Sequence, residues 1–133
     1  MLAKAKKGDN IMKKVNAPKV GQLVKVPVYE FAPMRSGWNG WIFRVGIIEK
    51  LYISKAGNKC ARVRYCSGLA GRNQVTDCHE YSKGWLVSNV FQYEGNLANE
   101  QKSYDEYKAC EENGEVVCWD EDTAFLLKNG FIQ

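Results

Sequence analysis

From residue 20 to residue 66 the chain keeps returning to one pattern, an apolar residue at every second position. Val20, Gln22, Val24, Val26 and Val28 alternate with Gly21, Leu23, Lys25, Pro27 and Tyr29, and side chains spaced by two point to the same face of a strand. A helix needs its apolar residues three and four apart, so this stretch predicts β structure. Pro27 has no N–H for a ladder, which sets this first strand at a sheet edge or at a bulge. Over residues 41 to 53, Phe43, Val45, Ile47, Leu51 and Ile53 alternate with Arg44, Gly46, Ile48, Lys50 and Tyr52. Only Glu49 breaks the apolar parity, the mark of a long strand with a bulge. Residues 54 to 58, Ser-Lys-Ala-Gly-Asn, form a turn into a third strand over 59 to 66, with Ala61, Val63 and Tyr65 inward and Cys60, Arg62, Arg64 and Cys66 outward.

The connections carry different chemistry. Residues 32 to 40 contain Pro33, Ser36, Gly37, Asn39 and Gly40, which reads as a loop holding Trp38 and Trp41. Residues 67 to 84 are mostly polar, with a β-like stretch at 74 to 78. A structureless loop of that length is unusual, so the segment holds a hairpin or is functional. From 85 to 93, Leu86, Val87, Val90 and Phe91 are candidates for burial.

At 133 residues, with 45% hydrophobic, 12% aromatic and 26% charged residues, the chain has enough to bury for one core and too much for disorder. Its longest apolar runs are about four residues, against about 20 needed to span a bilayer. The lysine-rich start has no apolar core of a secretory signal. Five cysteines, an odd number, fit a reducing intracellular compartment. Cys60 and Cys66 sit in one strand about 20 Å apart, beyond disulfide reach.

The net charge of +4 conceals a division. Residues 1 to 98 hold 16 Lys/Arg against 6 Asp/Glu, a net +10, and residues 99 to 133 hold 3 against 9, a net −6. Six lysines against Asp9 fall within residues 1 to 19, where Gly8, Asn10, Asn16 and Pro18 spoil any helical period. This reads as an extended basic arm, either a solvated terminus or a surface for phosphates or acidic protein. Arm and acidic tail could also meet, within one molecule or between copies.

Two runs carry a resemblance. Val28-Tyr29-Glu30-Phe31-Ala32 resembles the A-L-Y-D-Y opening of Src-homology-3 domains, and Gly84-Trp85-Leu86-Val87-Ser88-Asn89-Val90 is similar to their closing G-W-x-P-S-N-Y. Val45 to Glu49 and Ala61 to Arg64 resemble the family's second and third strands. The resemblance covers about residues 20 to 93 and implies a small barrel without enzymatic activity. The family's last-motif proline is Val87 here and its tyrosine is Val90, so what is implied is a barrel type and not a proline-rich ligand.

Beyond residue 94, Ser103 with Glu106 has capping-box spacing and Gly114 reads as a stop, predicting one helix with Tyr104, Tyr107 and Ala109 or Cys110 on its packed face. Residues 115 to 119 look strand-like. Asp120 or Asp122 then caps a helix over 123 to 129, and Phe131 and Ile132 after Gly130 resemble the apolar contact of a Schellman cap. The fold class is therefore α+β and mainly β. A basic arm (1 to 19) precedes a five- to six-stranded Src-homology-3-like barrel (20 to 98), and an acidic helix-strand-helix unit (99 to 133) packs on it.

Chemistry is sparse. His79 is the only histidine, and the cysteines lack the C-x2-C and H-x3-5-H spacings of zinc sites. Cys78 and His79 are neighbours that would point to opposite faces, leaving only Cys60, Cys66, Cys110 or Cys118 to pair with the imidazole. Glu111-Glu112 and Asp120-Glu121-Asp122 lie at helix ends, where capping explains them. No nucleotide or serine-hydrolase motif occurs. No cofactor, metal or small-molecule substrate is therefore expected.

What remains is a surface. Lys4, Lys6, Lys7, Lys13 and Lys14 on the arm, with Trp38, Trp41, Arg44, Tyr52, Arg62, Arg64, Arg72 and Trp85 on the barrel, are the candidate partner-binding residues. Arginine and tryptophan anchor protein interfaces, and the same groups stack bases and pair with phosphate. The first expectation is a scaffolding module whose partner is another protein or further copies of itself. RNA or single-stranded DNA binding is the alternative, and a Cys/His enzyme comes last.

Overall fold

The computed structural model describes residues 12–32, 38–67 and 74–133, with backbone alone at 31, 32, 38 and 39. Five antiparallel strands form one sheet: β1 (Leu23–Ala32), β2 (Trp38–Ile53), β3 (Lys59–Ser67), β4 (His79–Leu86) and β5 (Phe91–Gln92). Their order across the sheet is β4-β3-β2-β1-β5. Single 3-10 turns at Val75–Asp77 and Val87–Asn89 flank β4, and two helices follow, α1 (Leu97–Glu112) and α2 (Glu121–Lys128). The chain is thus mainly β with two C-terminal helices.

The alternation in β1 packs as its spacing requires: Val24, Val26 and Val28 are buried together with Ala61, Val63 and Tyr65 of β3, Ile48 and Val90. Pro27 lies where the strand has an open side, because β5 covers only Val24 and Lys25. The β2–β3 register shifts between Ile48 and Lys50, so Glu49 is the bulge residue. The parity of β2 differs from expectation. Ile48 is fully buried, whereas Phe43, Leu51 and Ile53 are exposed by 41%, 39% and 63%. The physical reason is a second core. Val45 is buried in a cluster with Cys66, Cys78, Phe125, Leu126 and Ile132, and Leu23 and Ile47 pack against it. Both parities of this stretch are thus covered, and a side chain on either face can be apolar.

Three other expectations are corrected. Trp38 and Trp41 do not lie in a loop, because β2 already begins at Trp38 and Trp38 to Trp41 pair with β1 as far as Ala32. The β-like stretch expected at 74 to 78 is a 3-10 turn at Val75–Asp77, and the strand of this polar segment follows it: His79 to Leu86 pair with β3 from Ser67 to Cys60. It lies at the sheet edge, where polar residues suit the open side. Residues 115 to 119 form no strand, so the C-terminal unit is helix-loop-helix, and the described residues hold five strands with no sixth.

α1 begins six residues before the expected Ser103 cap. Asn96 is its N-cap and accepts from the Ala98 and Asn99 amides at 2.9 and 3.2 Å. Its stop at Gly114 is as expected, with φ at +88°. α1 buries no residue fully; it docks through Tyr104 and Tyr107, whose rings lie 5.6 and 6.1 Å from Trp119. The Trp119 indole donates to Glu111 at 3.2 Å.

α2 is the stronger contact. Its N-cap Asp120 accepts from the Thr123 amide at 2.9 Å. At its end the Phe131 amide donates to the Leu126 carbonyl and the Gly130 amide to that of Leu127, the two bonds of a Schellman motif. Gly130 has φ +80°, and Ile132 beyond it is 1% exposed. Asp122 accepts from the Val45 amide at 3.0 Å, one residue outside the β2–β3 pairing that starts at Gly46.

Candidate functional site

The expected arginine face is largely spent on holding the molecule together. Arg44 donates to both Glu30 oxygens, at 2.9 and 2.8 Å, and lies 3.1 Å from Glu121 of α2, each of these side chains being at most 15% exposed. Burial opposes the charge on Arg44, but its bonds to Glu30 and the charge of Glu121 outweigh this and hold its pKa above the ordinary value. Arg64 reaches Glu49 and Glu80, both at 3.0 Å, donates to Asn129 and covers the Phe125 ring at 5.8 Å. These two arginines clamp α2 onto the sheet. Arg62 remains exposed and donates to the Ser82 carbonyl at 3.1 Å.

The aromatic part gathers into a groove. Pro27 and Tyr29 of β1, Trp41 of β2, Tyr65 of β3, and Lys83 and Trp85 of β4 line a hollow of about 240 Å³. It lies between the open side of β1 and the edge strand β4, although these strands are at different places in the sheet. One bond spans them, from the Trp85 indole to the Pro27 carbonyl at 3.0 Å. Tyr29 and Trp41 are directly opposite in the register and meet edge to face at 5.5 Å, a preferred aromatic geometry. Tyr65 and Trp85 do the same at 5.6 Å. Trp41 is nevertheless 69% exposed and Tyr29 54%. A larger hollow, about 350 Å³, lies between Lys14, Val15 and Lys59 and the turn at Val87, but no aromatic ring lines it.

Tyr52 is half-buried and sits against Gly84, where a Cβ would strike its hydroxyl. The Lys50 ammonium lies 5.9 Å from its ring. Lys13 and Lys14 have exposed side chains, yet their backbone is structural. The Gln92 amide donates to the Lys13 carbonyl at 2.7 Å and the Val15 amide to that of Val90 at 2.9 Å, while Val15 is 8% exposed in the inner core. The folded part thus begins no later than Lys13. Lys4, Lys6, Lys7, Arg72 and the Trp38 side chain lie outside the described residues.

Tyr29, Tyr65 and Lys83 complete the groove and are absent from the sequence-based candidates. The signal for Tyr29 was its position one step out of phase with three buried valines; nothing in the sequence marked Lys83, on a strand hidden by its polarity. His79 is exposed and Cys78 buried. Among the described residues no three His, Cys, Asp or Glu side chains converge as a metal site, and no helix is long and apolar enough to cross a membrane. Comparison with protein-family models, curated proteins and solved structures finds no match to this chain.

Proposed function

We propose that this chain is a non-enzymatic binding module on a small Src-homology-3-like barrel, docking into a larger protein assembly through the groove of Tyr29, Trp41, Trp85 and Lys83. The observation that carries the reading is Trp41, 69% exposed in a fixed stack on Tyr29. A large ring held rigid in solvent loses little freedom when a partner covers it. The barrel reading is supported by the Gly84–Val90 run: it ends β4, makes one 3-10 turn and delivers Val90 to the inner core. The Trp85–Pro27 bond supports it too, drawing β4 towards β1.

The test is selection of extended peptides from a displayed library on the full chain. Enriched peptides should bind saturably, and Trp41→Ala should weaken them at least about tenfold, the scale of one aromatic anchor. Equal binding by Trp41→Ala would remove the groove from the function. Nucleic acid is the second reading, favoured by the net +10 over residues 1 to 98. A labelled oligonucleotide should then bind with affinity falling steeply with salt; affinity independent of ionic strength counts against it. The basic arm is best tested by removing residues 1 to 11, because deletion to residue 19 would also remove the buried Val15.

A further inference from the structure

Five thiols are free in this structure, and two of them lie in one buried cluster. Cys66 is the penultimate residue of β3, and Cys78 directly precedes β4. Cys66 lies opposite Glu80 and Ser67 opposite His79. One step further along the same ladder brings Cys78 to the side of the sheet on which Cys66 lies, since side chains alternate. Both are in the cluster under α2 with Phe125 and Leu126, exposed by only 1% and 4%, and close enough that Cys78 adds to burial in pushing the Cys66 thiol up. Cys60 is far along β3, and Cys110 and Cys118 belong to the helical segment outside this cluster.

We propose that Cys66 and Cys78 are a latent disulfide, an oxidation site that staples the β3–β4 corner beneath α2. The co-reactant is a small-molecule disulfide such as oxidised glutathione. One cysteine thiolate attacks a glutathione sulfur, forming a mixed disulfide and releasing one glutathione thiolate. The second cysteine thiolate then attacks the protein sulfur of that mixed disulfide and releases the other glutathione. The protein gives up two protons and two electrons, and the glutathione disulfide is reduced to two thiols. Cys78, the more open of the two, makes the first attack. Cys66, whose thiol is pushed up by burial and by its neighbour Cys78, closes the bond. Because the thiolate is the nucleophile, the closed fold reacts slowly and exchange proceeds through local opening of this corner. In a reducing medium the pair stays as two packed thiols; in an oxidising one it crosslinks residues 12 apart in sequence.

The test uses the full chain and no variant at first. After exposure to oxidised glutathione the protein is unfolded, alkylated, digested and mapped by mass. The expected result is one peptide pair joined through Cys66 and Cys78, with no bond joining the other cysteines to each other. The melting midpoint should rise by roughly 5–10 °C, from the lost freedom of the unfolded loop, and return on reduction. Cys66→Ala and Cys78→Ala should each abolish both the joined peptide and the rise. Alkylation of both Cys66 and Cys78 after the treatment, or a Cys110–Cys118 bond formed in preference, would overturn the proposal.

Discussion

Replacing Arg44 by alanine separates a framework arginine from a binding one. The guanidinium makes two bonds to Glu30 and a third contact to Glu121, across β2, β1 and α2, with the three side chains 12–15% exposed. Removing it leaves two largely buried carboxylates near each other without a cation. Breaking a fully buried pair costs about 3–5 kcal/mol, and the residual exposure here lets water and protonation relieve part of that, leaving about 2–3 kcal/mol. A fold of this size has about 7–15 kcal/mol in all, so the variant stays folded at room temperature with a melting midpoint lower by roughly 8–12 °C. Urea unfolding read by tryptophan fluorescence and circular dichroism gives the number, with an unchanged slope as the control. The deficit should shrink on acidification, because Glu121, already raised by burial, loses the Arg44 charge that lowers it and so holds its proton more readily in the folded state. A loss below about 0.5 kcal/mol, the size of an ordinary surface change, accompanied by lost partner binding, would refute the assignment and return Arg44 to the binding surface.

Trp41→Ala should show the reverse, a stability change within about 0.5 kcal/mol for a residue this exposed and a loss of binding, checked by the same urea titration. Gly46→Ala would put a Cβ 2.5 Å from Val63 Cγ1 and 2.7 Å from the Arg64 carbonyl; overpacking of this kind costs about 1–3 kcal/mol, measured as a lower urea midpoint. Asp120→Ala removes the cap bonded to the Thr123 amide and hydroxyl and should cost about 1 kcal/mol, read the same way. Burial raises the carboxyls of Glu121 and Asp122, so the folded chain takes up these protons before the unfolded chain does. Their contribution to stability therefore grows as pH falls from neutrality through their raised folded values. Glu49 is held low, chiefly by the Ser82 hydroxyl and then by Arg64, and its contribution fades only as pH falls below its ordinary range. The melting midpoint should hold or rise from about pH 7 to about pH 5 and then drop; a steady fall over that first interval would show that these two carboxyls are not buried in solution.

How far the fold was legible depended on how many neighbours each strand has. Where one face is covered, as at Val24, Val26 and Val28, alternation in the sequence translated directly into burial. Where α2 covers the second face, Val45 and Ile48 are both buried and parity carries no information: Phe43, Leu51 and Ile53 share the apolar parity of Val45 and are exposed. β4 escaped notice for the opposite reason: Glu80, Ser82 and Lys83 look like loop residues unless a neighbour is known to supply the ladder. The capping signals were local and mostly sound, and the error at Ser103 arose because Asn96, seven residues earlier, offers the same chemistry.

In the candidate surface the groove residues Tyr29, Tyr65 and Lys83 carried little signal in the sequence, and the arginines carried a signal that their pairing changes. Charge can be counted along a chain, but pairing cannot, and the partners of Arg44 and Arg64 lie 14 to 77 residues away in sequence. The tail with its net −6 meets the strands inside the molecule through the Glu121–Arg44 ion pair and through the uncharged Asn129 amide, which accepts from Arg64. The pairing of Arg44 and Arg64 withdraws both from an outside partner, and among the described residues lining the aromatic groove one is a cation, Lys83. A surface of that composition gains more from ring burial than from ion pairing, so peptide binding at Trp41 should depend far less on salt than oligonucleotide binding would. Measuring the groove's affinity at low and high ionic strength therefore separates the two readings by slope alone, and a steep slope carried by Trp41 would reverse the order in which they stand.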